Sequence, residues 1–195
     1  MNERKFFDSI RPSLFSGRLS QSQVDGINFK LEEWNKSGLT DYRWLAYMLA
    51  TSYHETAKTM QPIEEYGKGK GRPYGKKIKY NRQPYDYPDK IYYGRGDVQL
   101  TWYENYETMG RLLSIPLLEN PELALDPKIS ARIMIEGMTK GMSGRGDFTG
   151  ASLDQFFSST RNDPYNARKV INGLDRANLI KGYYYKFLHA INISL

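Results

Sequence analysis

Residues 41–60 read DYRWLAYMLATSYHETAKTM, and this stretch decides the fold class. The unbroken apolar and aromatic run from Trp44 to Ala50 covers almost every side of a 3.6-residue wheel, so the segment reads as a buried helix. Thr40 or Asp41 is placed to cap its start, and His54 and Glu55 fall near its far end. Upstream, Val24, Ile27, Leu31 and Trp34 recur at spacings of three, four and three, which is one face of a helix over Ser20 to Trp34. Downstream, residues 65–92 lose all period. Their Gly, Pro, Lys and Tyr content, as in GKGKGRPYGKKIKYNRQPYDYPDK (67–90), predicts a long ordered loop, a feature that compact domains usually keep for function.

Regularity returns at YYGRGDVQL (92–100), a short extended or turn segment with Gly94 and Gly96 as hinge points. Thr101 and Glu104 then have capping-box spacing, which predicts a helix from Trp102 to about Leu113 with Thr101 as N-cap. Further helices are expected over Pro127–Thr139, Leu153–Phe157, Pro164–Ile171 and Arg176–Ile191, with Asn172-Gly173 breaking the last pair. Arg145-Gly146-Asp147 reads as a turn with no adhesive role. No repeat and no interdomain linker is visible, so residues 1–195 are expected to form one mainly α domain, two lobes around a cleft.

Composition narrows the chemistry. At 195 residues the chain can bury roughly 70% of the surface its unfolded form exposes, so no staple is required. There is no Cys, which removes disulfides, thiolate nucleophiles and thiolate zinc sites. With only His54 and His189, a histidine-built metal site is not expected either, and no metal or cofactor is assigned. Sixteen of the aromatic residues are Tyr, whose flat face and polar tip suit a sugar groove as well as a wet core edge. The net charge of +6 implies an anionic partner: nucleic acid, an acidic membrane face or an anionic cell wall. MNERKFFDSIRPSLF lacks an apolar signal region, and no apolar run is long enough to span a membrane. The chain is therefore expected in the cytoplasm at synthesis, reaching a substrate outside the membrane only after release by another factor.

Glycosidic bonds are broken by two carboxyl groups, one giving a proton to the leaving oxygen and one activating water or attacking directly. The acid belongs in a partly desolvated place, and Glu55 ends the most buried helix. Glu64 and Glu65 lie where that element gives way to the polar loop, as a partner should. Taken alone, each of the three also reads as a solvated glutamate.

Three blocks change the odds. Ser52-Tyr53-His54-Glu55-Thr56 resembles the helix-end His-Glu-Thr motif of family 19 chitinases and related phage endolysins, members of the lysozyme-like superfamily. Tyr93 to Thr101, followed by Asn105-Tyr106, resembles that family's Tyr-Gly-Arg-Gly, Gln-Leu-Ser/Thr and Asn-Tyr signature. Val170-Ile171-Asn172-Gly173 with Arg176 resembles its Ile-Ile-Asn-Gly segment and following Arg. The blocks keep the family's order over residues 52–176, and the opening from Leu19 to Gly26 resembles phage-type members.

The resemblance implies a lysozyme-like bilobal helical fold and Glu55 as general acid. It puts the base on Glu65 if Ile63 is the anchor, or on Glu64 if the gap shifts by one. This short acidic turn departs from plant members. Thr101 and Asn105 match the hydroxyl and amide that hold the attacking water and an N-acetyl group; Gln99 and Asn172 match sugar contacts. Arg95 and Arg176 match positions that support the cleft and tune the carboxylates. On the residues alone, capping could be the whole role of Thr101, a turn that of Asn172, and a structural ion pair that of Arg95. The implied mechanism is inverting, with the carboxyls roughly 6.5–9.5 Å apart.

Family members cut β-1,4 links in chitin or peptidoglycan. Small size, basic charge and the lack of a signal or disulfides favour a monomeric endolysin acting on peptidoglycan as a muramidase, with contact to an anionic envelope. Chitin is the alternative. An inactive carbohydrate-binding relative and a lytic transglycosylase stay open. The seven cations of residues 68–82, interleaved with Tyr74 and Tyr80, resemble a nucleic-acid patch, but that reading leaves the three blocks unexplained, so no stable nucleic-acid partner is expected.

Overall fold

The computed structural model describes residues 1–139 and 148–195, so Arg145-Gly146-Asp147 lies outside the described residues. Six α-helices dominate those residues: α1 (Glu3–Leu14), α2 (Gln21–Ser37), α3 (Tyr42–Glu55), α4 (Tyr103–Leu113), α5 (Pro127–Met138) and α6 (Ala177–Asn192). Sheet is confined to two short antiparallel pairs. Strand β1 (Ile63–Glu64) pairs with β2 (Arg95–Gly96), placing Ile63 opposite Gly96 and Glu64 opposite Arg95. Strand β3 (Phe157–Ser158) pairs with β4 (Arg161–Asn162). The expected mainly α architecture is present, and among the described residues no helix is long and apolar enough to cross a membrane.

Helix α3 is the axis of the core, buried continuously from Leu45 to Tyr53 as its all-round apolar pattern demands. It packs mainly on α6, while α1 covers α6 and α2 lies against α5. Aromatic rings fill the α3–α6 seam: Tyr47 meets Tyr184 and Phe157, and Tyr53 meets Tyr183 and Phe187. Asp41 caps α3 by accepting from the Arg43 N–H at 3.0 Å. The Arg43 guanidinium then donates to the Ser158 and Arg161 carbonyls, so the same cap anchors the β3–β4 hairpin.

The apolar pattern of α3 overran its true end. The helix stops at Glu55, and Ala57, Lys58 and Met60 take left-handed conformations that turn the chain back. Met60 remains fully buried, which is why the pattern carried on past the last helical turn. The Thr101 capping box also does not form. Helix α4 starts at Tyr103 after Trp102, the Thr101 hydroxyl donates to the Gln99 carbonyl, and Glu104 instead accepts from the Tyr80 N–H. Two short predicted helices shrink to 3-10 turns, Leu153–Gln155 and Asn166–Val170, and Phe157 opens β3 instead. The loop over 65–92 is ordered, with a 3-10 turn at Pro73–Lys76 and an isolated bridge between Ile78 and Pro84.

One buried polar knot ties these elements together. Lys30 on α2 and Asp97 after β2 pair at 2.7 Å with almost no exposure. Lys30 also donates to the Gly26 and Met60 carbonyls, while Asp97 accepts from Ser52 on α3 and Ser130 on α5. Gly26 is what lets Met60 reach this knot, since a Cβ there would stand 2.0 Å from the Met60 carbonyl oxygen. Gly26→Ala should therefore destabilise the protein by about 1–3 kcal/mol through overpacking, although alanine is the better helix former by roughly 0.8–1.0 kcal/mol. Urea unfolding checks this: an unchanged or raised midpoint would show that the Met60 turn can move freely.

Candidate active site

A cleft of about 420 Å³ runs between the end of α3, the hairpin before α4 and the turn before α6. Glu55, Gln99, Thr101, Asn105 and Asn172 line it together with Tyr74, Tyr80 and Trp102. Five of the residues singled out from sequence thus meet in one place from elements up to 117 positions apart. Glu64, Glu65, Arg95 and Arg176 do not line it.

Glu55 is the last residue of α3, mostly buried, with its Oε1 accepting from Arg168 at 2.7 Å. Arg168 is itself buried and fixed by donating through Nε to the Asp175 carbonyl at 3.0 Å. A guanidinium held this rigidly orients the carboxyl. A carboxyl protonated on Oε2 still accepts from Arg168 through Oε1, so the contact is compatible with proton donation from the other oxygen. The preceding His54 has its pKa lowered chiefly by burial, against the pull of the neighbouring Glu55 charge, which favours a neutral imidazole beside the pair.

Arg168 was not found from sequence. The resemblance points to Arg176 at this end of the chain, but that residue stands at the start of α6, mostly exposed and 4.0 Å from Asp175. The arginine that reaches the carboxylate sits four positions before Asn172, and its backbone oxygen accepts from the Asn172 N–H at 3.0 Å. The wanted signal was that same helical offset from the Asn-Gly turn.

The opposite wall comes from the hairpin 95–100, where Arg95 and Leu100 exchange both backbone hydrogen bonds. Gln99 and Trp102 carry positive φ (54° and 77°) without being glycine, so backbone strain brackets Thr101 on both sides. Because the Thr101 hydroxyl gives its proton to the Gln99 carbonyl at 2.7 Å, it offers only lone pairs to a water. Asn105 donates to the Thr101 carbonyl at 2.9 Å, which leaves its amide oxygen available. Gln99 is more committed: its Nε2 donates to the Ile63 and Gly96 carbonyls, bracing β1 against the hairpin. Asn172 Oδ1 accepts from the Gly173 N–H, leaving its side-chain N–H groups for a ligand.

The two candidate bases separate clearly. Glu64 is exposed, bound to Lys68 at 2.7 Å and to the Tyr93 hydroxyl at 2.8 Å, and those hydrogen bonds hold its pKa below the usual carboxylate range. Glu65 is half-buried and accepts from the Tyr74 hydroxyl at 2.7 Å and the Gly94 N–H at 3.3 Å. Tyr74 lines the cleft, so Glu65 sits directly behind the cleft wall while Glu64 points its charge to the loop lysine. Burial, reinforced by Glu65, raises the Tyr74 phenol to about 12, so it remains a donor. Arg95 is a support. Its guanidinium stacks 3.6 Å over the Tyr93 ring and donates to the Ile91 carbonyl and the Tyr106 hydroxyl rather than forming an ion pair.

Among the described residues no cluster of three His, Cys, Asp or Glu side chains is arranged to hold a metal ion. What the cleft brings together is one buried carboxyl, a hydroxyl that can accept from water, free amide groups and an aromatic wall. These are the parts for acid–base cleavage of a hydroxyl-rich polymer.

Comparison with known proteins agrees with that chemistry. Endochitinase 1 of Theobroma cacao is 39% identical over 104 residues, covering 47% of this chain and 31% of that protein. Inactive chitinase-like protein 1 of Hevea brasiliensis is 49% identical over 49 residues, covering 25% of this chain and 16% of that protein. The matched part of this chain thus spans about a third or less of the length of such curated relatives. Solved structures share the fold across nearly the whole chain. A bacterial family 19 chitinase superposes with a TM-score of 0.63 at 24% identity, covering 97% of this chain and 94% of that one. A class IV chitinase from Zea mays gives 0.63 at 19% identity, covering 96% and 90%. The sequence model of the family described as chitinase class I, glycoside hydrolase family 19, matches residues 37–144, more than half of the chain, and the chain belongs to that family.

Proposed function

We propose that the chain is a glycoside hydrolase that cuts β-1,4 links in an N-acetylglucosamine-containing polysaccharide, with Glu55 as general acid and Glu65 as general base. The observation that carries this is the juxtaposition of the Arg168-held Glu55 with Thr101 and Asn105 across one cleft. In the proposed step Glu55 protonates the leaving oxygen from Oε2. A water held on the Thr101 lone pairs attacks the anomeric carbon from the other face, and its proton passes to the Tyr74 hydroxyl as that hydroxyl gives its own to Glu65 behind the wall. Inversion follows from water, not a side chain, being the nucleophile. The names of the relatives point to chitin as the polymer. Peptidoglycan is a second reading, favoured by the net charge of +6, which suits an anionic wall better than a neutral one.

Because a Hevea relative is called inactive, turnover must be measured rather than assumed. Purified protein is incubated with N-acetylglucosamine hexamer and with peptidoglycan, and the products are read by mass spectrometry and by the anomeric NMR signal of the first product. New reducing ends in the α configuration are expected. Anhydro ends would make the protein a transglycosylase, and no release from either polymer would refute the enzyme reading.

An aromatic shelf forms the rest of the wall. Trp102 lies 5.3 Å from Tyr74 and 4.9 Å from Tyr80, ring centre to ring centre, and Tyr80 is 61% exposed within the cleft. The Tyr80 backbone is held there by Glu104. Such faces stack on the apolar side of a pyranose. Trp102→Ala is expected to raise KM roughly two- to tenfold with little change in kcat, in keeping with ~0.5–1.5 kcal/mol for one aromatic contact. Equal loss in kcat would instead show that Trp102 sets the geometry of Thr101.

A further inference from the structure

Six of the seven cations of the long loop divide into two kinds of side chain. Lys68 pairs with Glu64, Lys79 pairs with Asp86, and Lys77 donates to the Pro88 carbonyl. Lys70, Arg72 and Lys76 have no acidic partner among the described residues, and with Lys68 they ring a recess of about 320 Å³ on a floor of Ile91 and three glycines.

The recess is built by the backbone. A Cβ on Gly75 would stand 2.1 Å from the Gly69 carbonyl oxygen, so the chain crosses itself where only glycine fits. Lys68, Gly69 and Gly71 all take positive φ, and consecutive turns close through Lys68, Lys70, Arg72 and Gly75 N–H groups. Three exposed like charges gathered on one ordered loop make a local positive field that attracts an anion. The recess also shares a wall with the cleft. Tyr74 lines the cleft on one side, and its ring lies 3.4 Å from the Cβ position of Gly69 on the other.

We propose that this recess is a subsite for carboxylates carried on a glycan whose sugar backbone lies in the cleft. The preferred substrate would then be a carboxylate-bearing β-1,4 glycan, as peptidoglycan is, rather than a neutral one. This rests on the glycosidase reading, and the test keeps the two apart by measuring binding as well as turnover.

Soluble peptidoglycan strands, the same strands with their carboxylates amidated, and N-acetylglucosamine hexamer are each titrated against the Glu55→Gln protein. The titrations are repeated after adding Lys70→Ser, Arg72→Ser and Lys76→Ser together. The triple change is expected to weaken binding of the untreated strand about tenfold, the equivalent of three exposed charge contacts. Amidation or raised salt should produce the same loss, and hexamer binding should not move. In the protein with Glu55 intact, the triple change should raise KM on the untreated strand and leave hexamer turnover unchanged. Equal loss on strand and hexamer, or no loss on the strand, overturns the subsite. Equal affinity for a DNA oligonucleotide with the same triple-variant sensitivity would also overturn it, in favour of a general polyanion surface. Absence of turnover with selective strand binding would refute the glycosidase reading alone.

Discussion

Glu55→Gln is expected to leave a folded protein whose glycan turnover is lower by about a thousandfold, within the range that a positioned general acid contributes. The substitution keeps the volume of the side chain and an oxygen that can accept from Arg168, so the contact at 2.7 Å can persist. What it removes is the transferable proton. Glycan binding should therefore survive, since Thr101, Asn105, Asn172 and the Trp102 shelf are untouched. Glu65→Gln should fall into the same class, because the proposed activation of water relies on the carboxylate behind the Tyr74 wall. Glu64→Gln should retain nearly full activity, since that carboxylate is exposed and bound to Lys68. Initial rates on the hexamer and on peptidoglycan, with binding measured in parallel, check all three. A Glu64 variant as dead as the Glu55 variant would move the base to Glu64. An active Glu55 variant would remove the acid from this mechanism altogether.

Much of this architecture was legible before any coordinates, and the misses share a physical cause. Periodicity located α2, α3, α5 and α6 because each buries a regular stripe or its whole surface. The stripe of Phe6, Ile10 and Leu14 that makes α1 is equally regular, but it spans only three turns and is interrupted by Pro12. Boundaries failed where tertiary partners outbid local ones. Thr101 and Glu104 have the spacing of a capping box, yet the Gln99 carbonyl and the Tyr80 N–H claim them. Met60 is as buried as any helical residue, so composition could not mark the turn at Ala57.

The site divides in the same way. Residues inside ordered motifs, from Glu55 to Asn172, could be found because the motif carried their spacing. Arg168 could not, since its partner lies 113 positions away and its own 3-10 turn has no periodic face to read. Lys30 does leave a trace in the sequence. It lies three residues after Ile27 and four before Trp34, on the apolar face of α2, where a lysine must have a buried counter-charge.

That counter-charge makes the second large expected effect. Replacing Asp97 by Ala should cost about 3–5 kcal/mol of stability, because it leaves Lys30 buried without its carboxylate. Lys30→Met should cost a similar amount by stranding Asp97 with only the Ser52 and Ser130 hydroxyls. The double variant should cost clearly less than the two singles added, since neither charge is then left behind and the interior accepts apolar volume. Equilibrium urea unfolding of the four proteins closes this cycle, and strict additivity would show that the pair contributes nothing specific. Activity supplies the second half of the argument. Asp97 is bound to Ser52, three residues before Glu55, and it lies within the hairpin that presents Gln99 and Thr101. The knot therefore sets how Glu55 on α3 faces the Thr101 hydroxyl across the cleft. The double variant, even where it regains stability, should turn over glycan more slowly than the parent at temperatures where both are fully folded. Full activity in that variant would mean that α3 and the hairpin hold their relation through apolar packing alone.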